Sequence, residues 1–102
     1  MTEAGISLLV LYCSDLSACH DFYRKLGLVF EWERHASGPE HHAAVLAGGA
    51  VLELYPAGAG GATGRVRVGL TVPRDAVQAA LEPGTHLLRD PDGRAVELCV
   101  TA

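Results

Sequence analysis

Two short segments of this chain repeat one pattern. Val51-Leu52-Glu53-Leu54-Tyr55 and Ala95-Val96-Glu97-Leu98-Cys99 each set one carboxylate among apolar neighbours, and Gly49 precedes Glu53 by the interval at which Gly93 precedes Glu97. The correspondence extends outward: Leu8–Tyr12 aligns with Arg67–Thr71, and Ala50–Tyr55 aligns with Arg94–Cys99. A repeat of this size constrains the fold more than any single motif, because each half must be one supersecondary unit.

The elements follow from periodicity. Ile6–Cys13 is rich in branched apolar residues and reads as a strand. Ser14 or Asp15 caps a helix whose apolar positions Leu16, Cys19, Phe22, Tyr23 and Leu26 recur at helical spacing, and Gly27 stops it. Val29–Arg34, His42–Leu46 and Ala50–Tyr55 read as three strands, joined by turn chemistry at Ser37-Gly38-Pro39 and Gly48-Gly49. The second half is shorter: a strand at Val66–Val72, a helix at Asp75–Glu82 ended by Pro83-Gly84, and strands at Thr85–Arg89 and Ala95–Val100. Asp90-Pro91-Asp92-Gly93 is the turn between the last two. The Gly-Ala stretch 57–64 leads into a strand, so it is no phosphate loop, which must open a helix. It reads as a flexible linker. The chain is therefore one domain, 1–102, with modules at about 5–56 and 65–101.

Strand side chains alternate between faces. One face carries Leu9, Leu11, Leu52, Leu54, Val68, Leu70, Val96, Leu98 and Val100 and suits packing under the helices. The opposite face is mixed and carries Tyr12, Glu53, Tyr55, Arg67, Glu97 and Cys99. Tyr12, Tyr55 and Trp32 are candidates to line an aromatic pocket, the alternative being core or interface packing. His41 and His42 are neighbours on a strand, so at most one reaches the mixed face; His42 is the candidate, the alternative being a surface or hydrogen-bonding role. His20, His35 and His86 show no ligand spacing.

Composition narrows the partners. The net charge of −4 argues against nucleic acid, which needs clustered Lys and Arg. The apolar run Ile6–Leu11 is far short of the about 20 residues that span a bilayer. Three cysteines without C-x-x-C spacing indicate neither a disulfide framework nor a zinc knuckle. The N-terminal MTEAGISLLVLYCSD lacks the pattern of a signal peptide, so the expected location is cytoplasmic.

In "LYCSDLSACHDFYRKLGL" at 11–28, "LELYP" at 52–56 and "RDPDGRAVEL" at 89–98, the chain resembles the vicinal oxygen chelate superfamily. This superfamily includes glyoxalase I, bleomycin-resistance proteins and extradiol dioxygenases. The resemblance implies an α+β fold of paired βαβββ modules forming an incomplete barrel around a cleft, here with the second module abbreviated, and a homodimer. In metal-binding members the ligands are His, Glu, His and Glu from the first and last strands of each module. The corresponding positions are Leu8, Glu53, Arg67 and Glu97. Leucine has no donor atom and arginine is a permanent cation, so neither metal nor other cofactor is expected there. Arg67 is expected instead to bridge Glu53 and Glu97.

The function so implied is metal-free binding of a small molecule, as in the bleomycin-resistance branch, with Glu53, Glu97, Arg67, Tyr12, Tyr55, Trp32 and His42 as ligand-binding residues. The alternatives are a lyase or isomerase like the glyoxalases and dioxygenases, using Glu53 and Glu97 with an atypical metal or as general base, and an accessory subunit with an empty cleft.

Overall fold

Local chemistry sets both ends of the first helix, α1 (Leu16–Lys25). The Asp15 carboxylate accepts from the Ala18 amide at 3.0 Å, and Arg24 and Lys25 lie in the last turn, where cations suit the helix dipole. Gly27, at φ 110°, closes a Schellman motif in which its amide bonds Arg24 O and the Leu28 amide bonds Tyr23 O.

The computed structural model describes residues 1–102. Around α1 run strands β1 (Leu8–Cys13), β2 (Glu31–Glu33), β3 (His41–Val45), β4 (Val51–Pro56), β5 (Arg67–Pro73), β6 (Gly84–Arg89) and β7 (Ala95–Thr101). They form two mixed sheets, ordered β1-β4-β3-β2 and β5-β7-β6, with no closed barrel. The fold is α+β and compatible with two βαβββ modules, of which the second lacks one strand. No helix is long and apolar enough to cross a membrane.

The repeat holds register for register. β1 pairs β4 in parallel with Val10 beside Glu53, and β5 pairs β7 in parallel with Gly69 beside Glu97. Leu8 beside Val51 corresponds to Arg67 beside Ala95.

The second helix is a departure. Where Asp75–Glu82 reads as a helix, only a 3-10 turn forms, Arg74–Ala76, and Val77 is already extended. Eight residues are marginal for a helix, and here the tertiary contacts favour another path. The Gln78 amide donates to Lys25 O at 2.9 Å, and Arg74 Nε donates to Leu81 O. Ala76 packs where a Cβ on Gly27 would come within 3.1 Å. One helix therefore serves both modules.

The aliphatic faces of both sheets, with Cys19 and Tyr23 of α1 and Leu26 at its C-cap, form one core cluster. Beside it lies a buried ionic network. Arg94 is 2% exposed and Asp90 is 4% exposed. Arg94 Nε donates to Asp90 Oδ2 at 2.7 Å, its NH1 to Tyr12 O and Thr63 O, and its NH2 to the Cys13 and Cys19 sulfurs. Tyr23 Oη donates to Asp90 Oδ2 at 2.7 Å, and burial with this bond pushes the phenol well above its usual range. Asp92 pairs with Arg94 NH2 and accepts from the Ser14 amide. Every buried side-chain nitrogen and oxygen has a partner. The linker is held here too: beyond a 3-10 turn at Gly58–Gly60, Thr63 Oγ1 accepts from the Tyr12 amide and the Thr63 amide donates to Tyr12 O. It is anchored, not the flexible connection that its composition suggests.

Arg94→Ala strands Asp90 in the core and is expected to cost about 3–5 kcal/mol in urea unfolding. Arg67→Ala, at an exposed pair, is expected to cost no more than about 1 kcal/mol. Burial raises the Asp92 carboxyl, but the hydrogen bonds from Ser14 and Cys19 and the charge of Arg94 together outweigh it and hold the group below its ordinary 3.8. Its contribution is thus full above about pH 4 and lost as pH falls through the folded value. Asp92→Asn is expected to flatten that acid limb of the stability curve.

Candidate functional site

Because the aliphatic faces share one core, the two mixed faces point away from each other, one on each side of the molecule. This overturns the expected trio within a chain. Arg67 NH2 pairs with Glu97 Oε2 at 2.6 Å, with the side chains 71% and 44% exposed. Glu53 pairs instead with His41, whose Nε2 lies 3.3 Å from Oε2. Arg67 makes no ion pair with Glu53, since the two stand on outward faces of different sheets.

On the first sheet the outer face joins Leu8, Val10 and Tyr12 of β1 to Val51, Glu53 and Tyr55 of β4. Cross-strand pairing adds Ala43 and Val45 of β3, and then Glu31 of β2 beside Ala43. Glu33 beside His41 completes the row. Tyr12 and Tyr55 lie ring to ring at 5.9 Å, and Tyr55 stacks on His41 at 4.0 Å and 10°. Burial and the charge of Glu53 raise the Tyr55 phenol.

His42 and Trp32 are not part of this face. They pair across β2 and β3 on the helix side, where His42 stacks on His20 of α1 at 3.8 Å and packs edge-on against Trp32. Burial, then the charges of His20 and His41, push His42 down to about 4, so it is neutral at pH 7. Of the adjacent histidines it is His41 that reaches Glu53. Alternation shows that one of the two must do so; which one depends on the β3–β4 register.

The second outer face is basic. Arg67, Gly69 and Thr71 of β5 lie beside Ala95, Glu97 and Cys99 of β7, with Thr85, Leu87 and Arg89 of β6 next to them. They open on a groove of about 530 Å³ that Arg65 also lines. Of the four positions of the metal-binding pattern, Leu8 and Glu53 therefore stand on one outer face, and Arg67 and Glu97 on the other.

The cysteines divide likewise. Cys13 and Cys19 are buried beside Arg94, whereas Cys99 is partly exposed on the basic face. Hydrogen bonding with Cys13, then burial, raises Cys19 well above the usual thiol range; the Cys19 thiol and Arg94 lower Cys13 against the effect of its burial.

No protein-family model matches the chain, and no curated protein matches it. Solved structures do share its fold. An antibiotic-binding protein from Streptomyces sp. CB03234 superposes with TM-score 0.66 at 18% identity, over 100% of this chain and 99% of that one. A lactoylglutathione lyase from Agrobacterium tumefaciens gives 0.59 at 23% identity, over 97% and 95%. A virulence protein from Salmonella typhimurium gives 0.58 at 17% identity, over the full length of both. At these identities the likeness is one of fold.

A thiol-specific chromogenic reagent is expected to titrate Cys99 alone in the native protein and all three cysteines after denaturation. Rapid reaction of Cys13 or Cys19 in the folded chain would contradict their placement.

Proposed function

We propose that the chain is a small-molecule-binding protein of the vicinal oxygen chelate type, and that its cleft is completed between two copies. The observation that carries this reading is the pair of outward faces. Each is half of a cleft, and their charges are complementary: Glu31, Glu33 and Glu53 on the first sheet, Arg65, Arg67 and Arg89 on the second. A two-fold arrangement that sets the first sheet of one copy against the second sheet of another makes two equivalent clefts. It also covers Leu8, Tyr12, Val45 and Leu87, large apolar side chains that are exposed in the single chain.

The ligand class follows from the walls. Tyr12 and Tyr55 offer aromatic surface for a planar body, Glu53 an acceptor for hydroxyl or cationic groups, and the arginines donors for carboxylate, phenolate or keto oxygens. The likeness to an antibiotic-binding protein over the whole chain supports this reading. Leu8 and Arg67 supply no metal ligand, so the cleft holds its ligand without the metal of the superfamily's four-position site.

Sedimentation at micromolar concentration is expected to give twice the 10.7 kDa chain mass. A thermal-shift screen of planar polyoxygenated aromatics is expected to find compounds that stabilise the protein by mass action. Tyr55→Ala and Arg67→Ala should each reduce that shift. A compact monomer would refute the shared cleft, and a flat screen would refute the binding role.

A further inference from the structure

Three acceptor atoms converge on one point of the first outer face. His41 is fully buried, and its Nδ1 lies 3.2 Å from Pro39 O. A carbonyl only accepts, so Nδ1 carries the hydrogen, and in the neutral ring Nε2 carries a lone pair. That lone pair faces Glu33 Oε1 at 3.2 Å and Glu53 Oε2 at 3.3 Å, both carboxylate acceptors. His35 Nε2 stands 3.4 Å from Glu33 Oε1. An acceptor aimed at two acceptors needs a cation between them.

We propose that Glu33, His35, His41 and Glu53 form a binding site for one divalent transition-metal ion. All four ligand atoms lie within 4.8 Å of one another. Metal–nitrogen and metal–oxygen bonds of about 2.0–2.2 Å place tetrahedral ligands about 3.3–3.6 Å apart. Three of the six separations, 3.2, 3.3 and 3.4 Å, are close to that edge, and the remaining three lie within 4.8 Å. Imidazole with carboxylate selects zinc, cobalt, nickel, iron or manganese over calcium and magnesium, which take all-oxygen shells. The Pro39 carbonyl supplies the outer hydrogen bond that fixes the ring of a ligating histidine, and Tyr55 stacks on that ring and holds its plane.

The four residues are brought together by different parts of the fold. Glu33 and His41 are paired across β2 and β3, and Glu53 comes from β4. His35 follows β2 two residues after Glu33 and opens a turn in which the Gly38 amide bonds His35 O and Ala36 takes φ 51°. The site is asymmetric in access: His41 is enclosed, Glu53 nearly so, and His35 is open to solvent. The set draws on one sheet of one chain and shares only Glu53 with the four positions Leu8, Glu53, Arg67 and Glu97, so it stands whether or not two copies share a cleft.

The test is titration of chelator-treated protein with Co²⁺ and Zn²⁺, with no organic ligand present. The expected result is one ion per chain by elemental analysis, visible Co²⁺ absorption of a low-coordinate nitrogen–oxygen site, and a raised melting temperature. His41→Asn is expected to abolish binding. Because a buried variant can fail to fold, Glu33→Gln on the half-exposed strand is the second arm. Loss of a ligand should weaken affinity at least as much as loss of an outer-shell partner, by about tenfold. His86→Asn, a histidine outside the cluster, should leave affinity unchanged. Less than stoichiometric uptake, or uptake that Glu33→Gln leaves intact, overturns the proposal. In that case a proton on Nε2 is the cation that reconciles the three acceptors.

Discussion

The guanidinium of Arg94 has no access to water, and a planar cation in that position must find every partner within the protein. It finds them in both halves of the chain at once: Asp90 and Asp92 from the turn before β7, Tyr12 O and Cys13 from β1, Cys19 from α1, and Thr63 from the linker. Burial works against the charge, but the hydrogen bond and the charge of Asp90 outweigh it and keep the group firmly protonated. The partners come from the end of β1, from α1, from the linker and from the turn before β7, so satisfying Arg94 joins the two modules beside their shared core. Their polar faces are turned outward by the same contact.

That orientation governs the chemistry. Carboxylates collected on one face and guanidinium groups on the other leave each face with an excess of one sign, which a single chain does not neutralise. Arg67 and Glu97 neutralise each other locally, in solvent, where such a pair contributes little. Glu53 is different. It is held beside an enclosed imidazole whose other nitrogen is already committed, so the acceptors here need a cation between them, a proton or a metal ion.

Much of the architecture was legible because it rests on periodicity. The alignment of Leu8–Tyr12 with Arg67–Thr71 anticipates the register of both parallel pairs, and Asp15 and Gly27 announce the limits of α1. What was hidden depends on contacts distant in sequence. Val77, Ala80 and Leu81 have helical spacing, yet the amide of Gln78 is taken by Lys25 O, a partner no local pattern reveals. Arg94 reads as a charge at a strand end, and only the meeting of β1, α1 and the linker encloses it. His35 stands two residues after Glu33, just beyond β2, and its meeting with His41 and Glu53 depends on the β2–β3–β4 register, which no local pattern reveals. Glu53 and Glu97 stand out in sequence as a pair, but similarity of position within a repeat is not proximity in space.

The anchoring of Thr63 bears on how such a protein moves. Two-module chains open and close around their ligands most readily when the connecting segment is a hinge, free to absorb changes in φ and ψ. Here the connection is bonded to both sides of Tyr12 and to Arg94, the residue that already joins the modules. The two sheets are thereby tied through the linker as well as through the core, which works against flexing between them. If two copies share a cleft, its breathing must be a rotation of whole chains about their common axis, so entry and release would be coupled at the two sites.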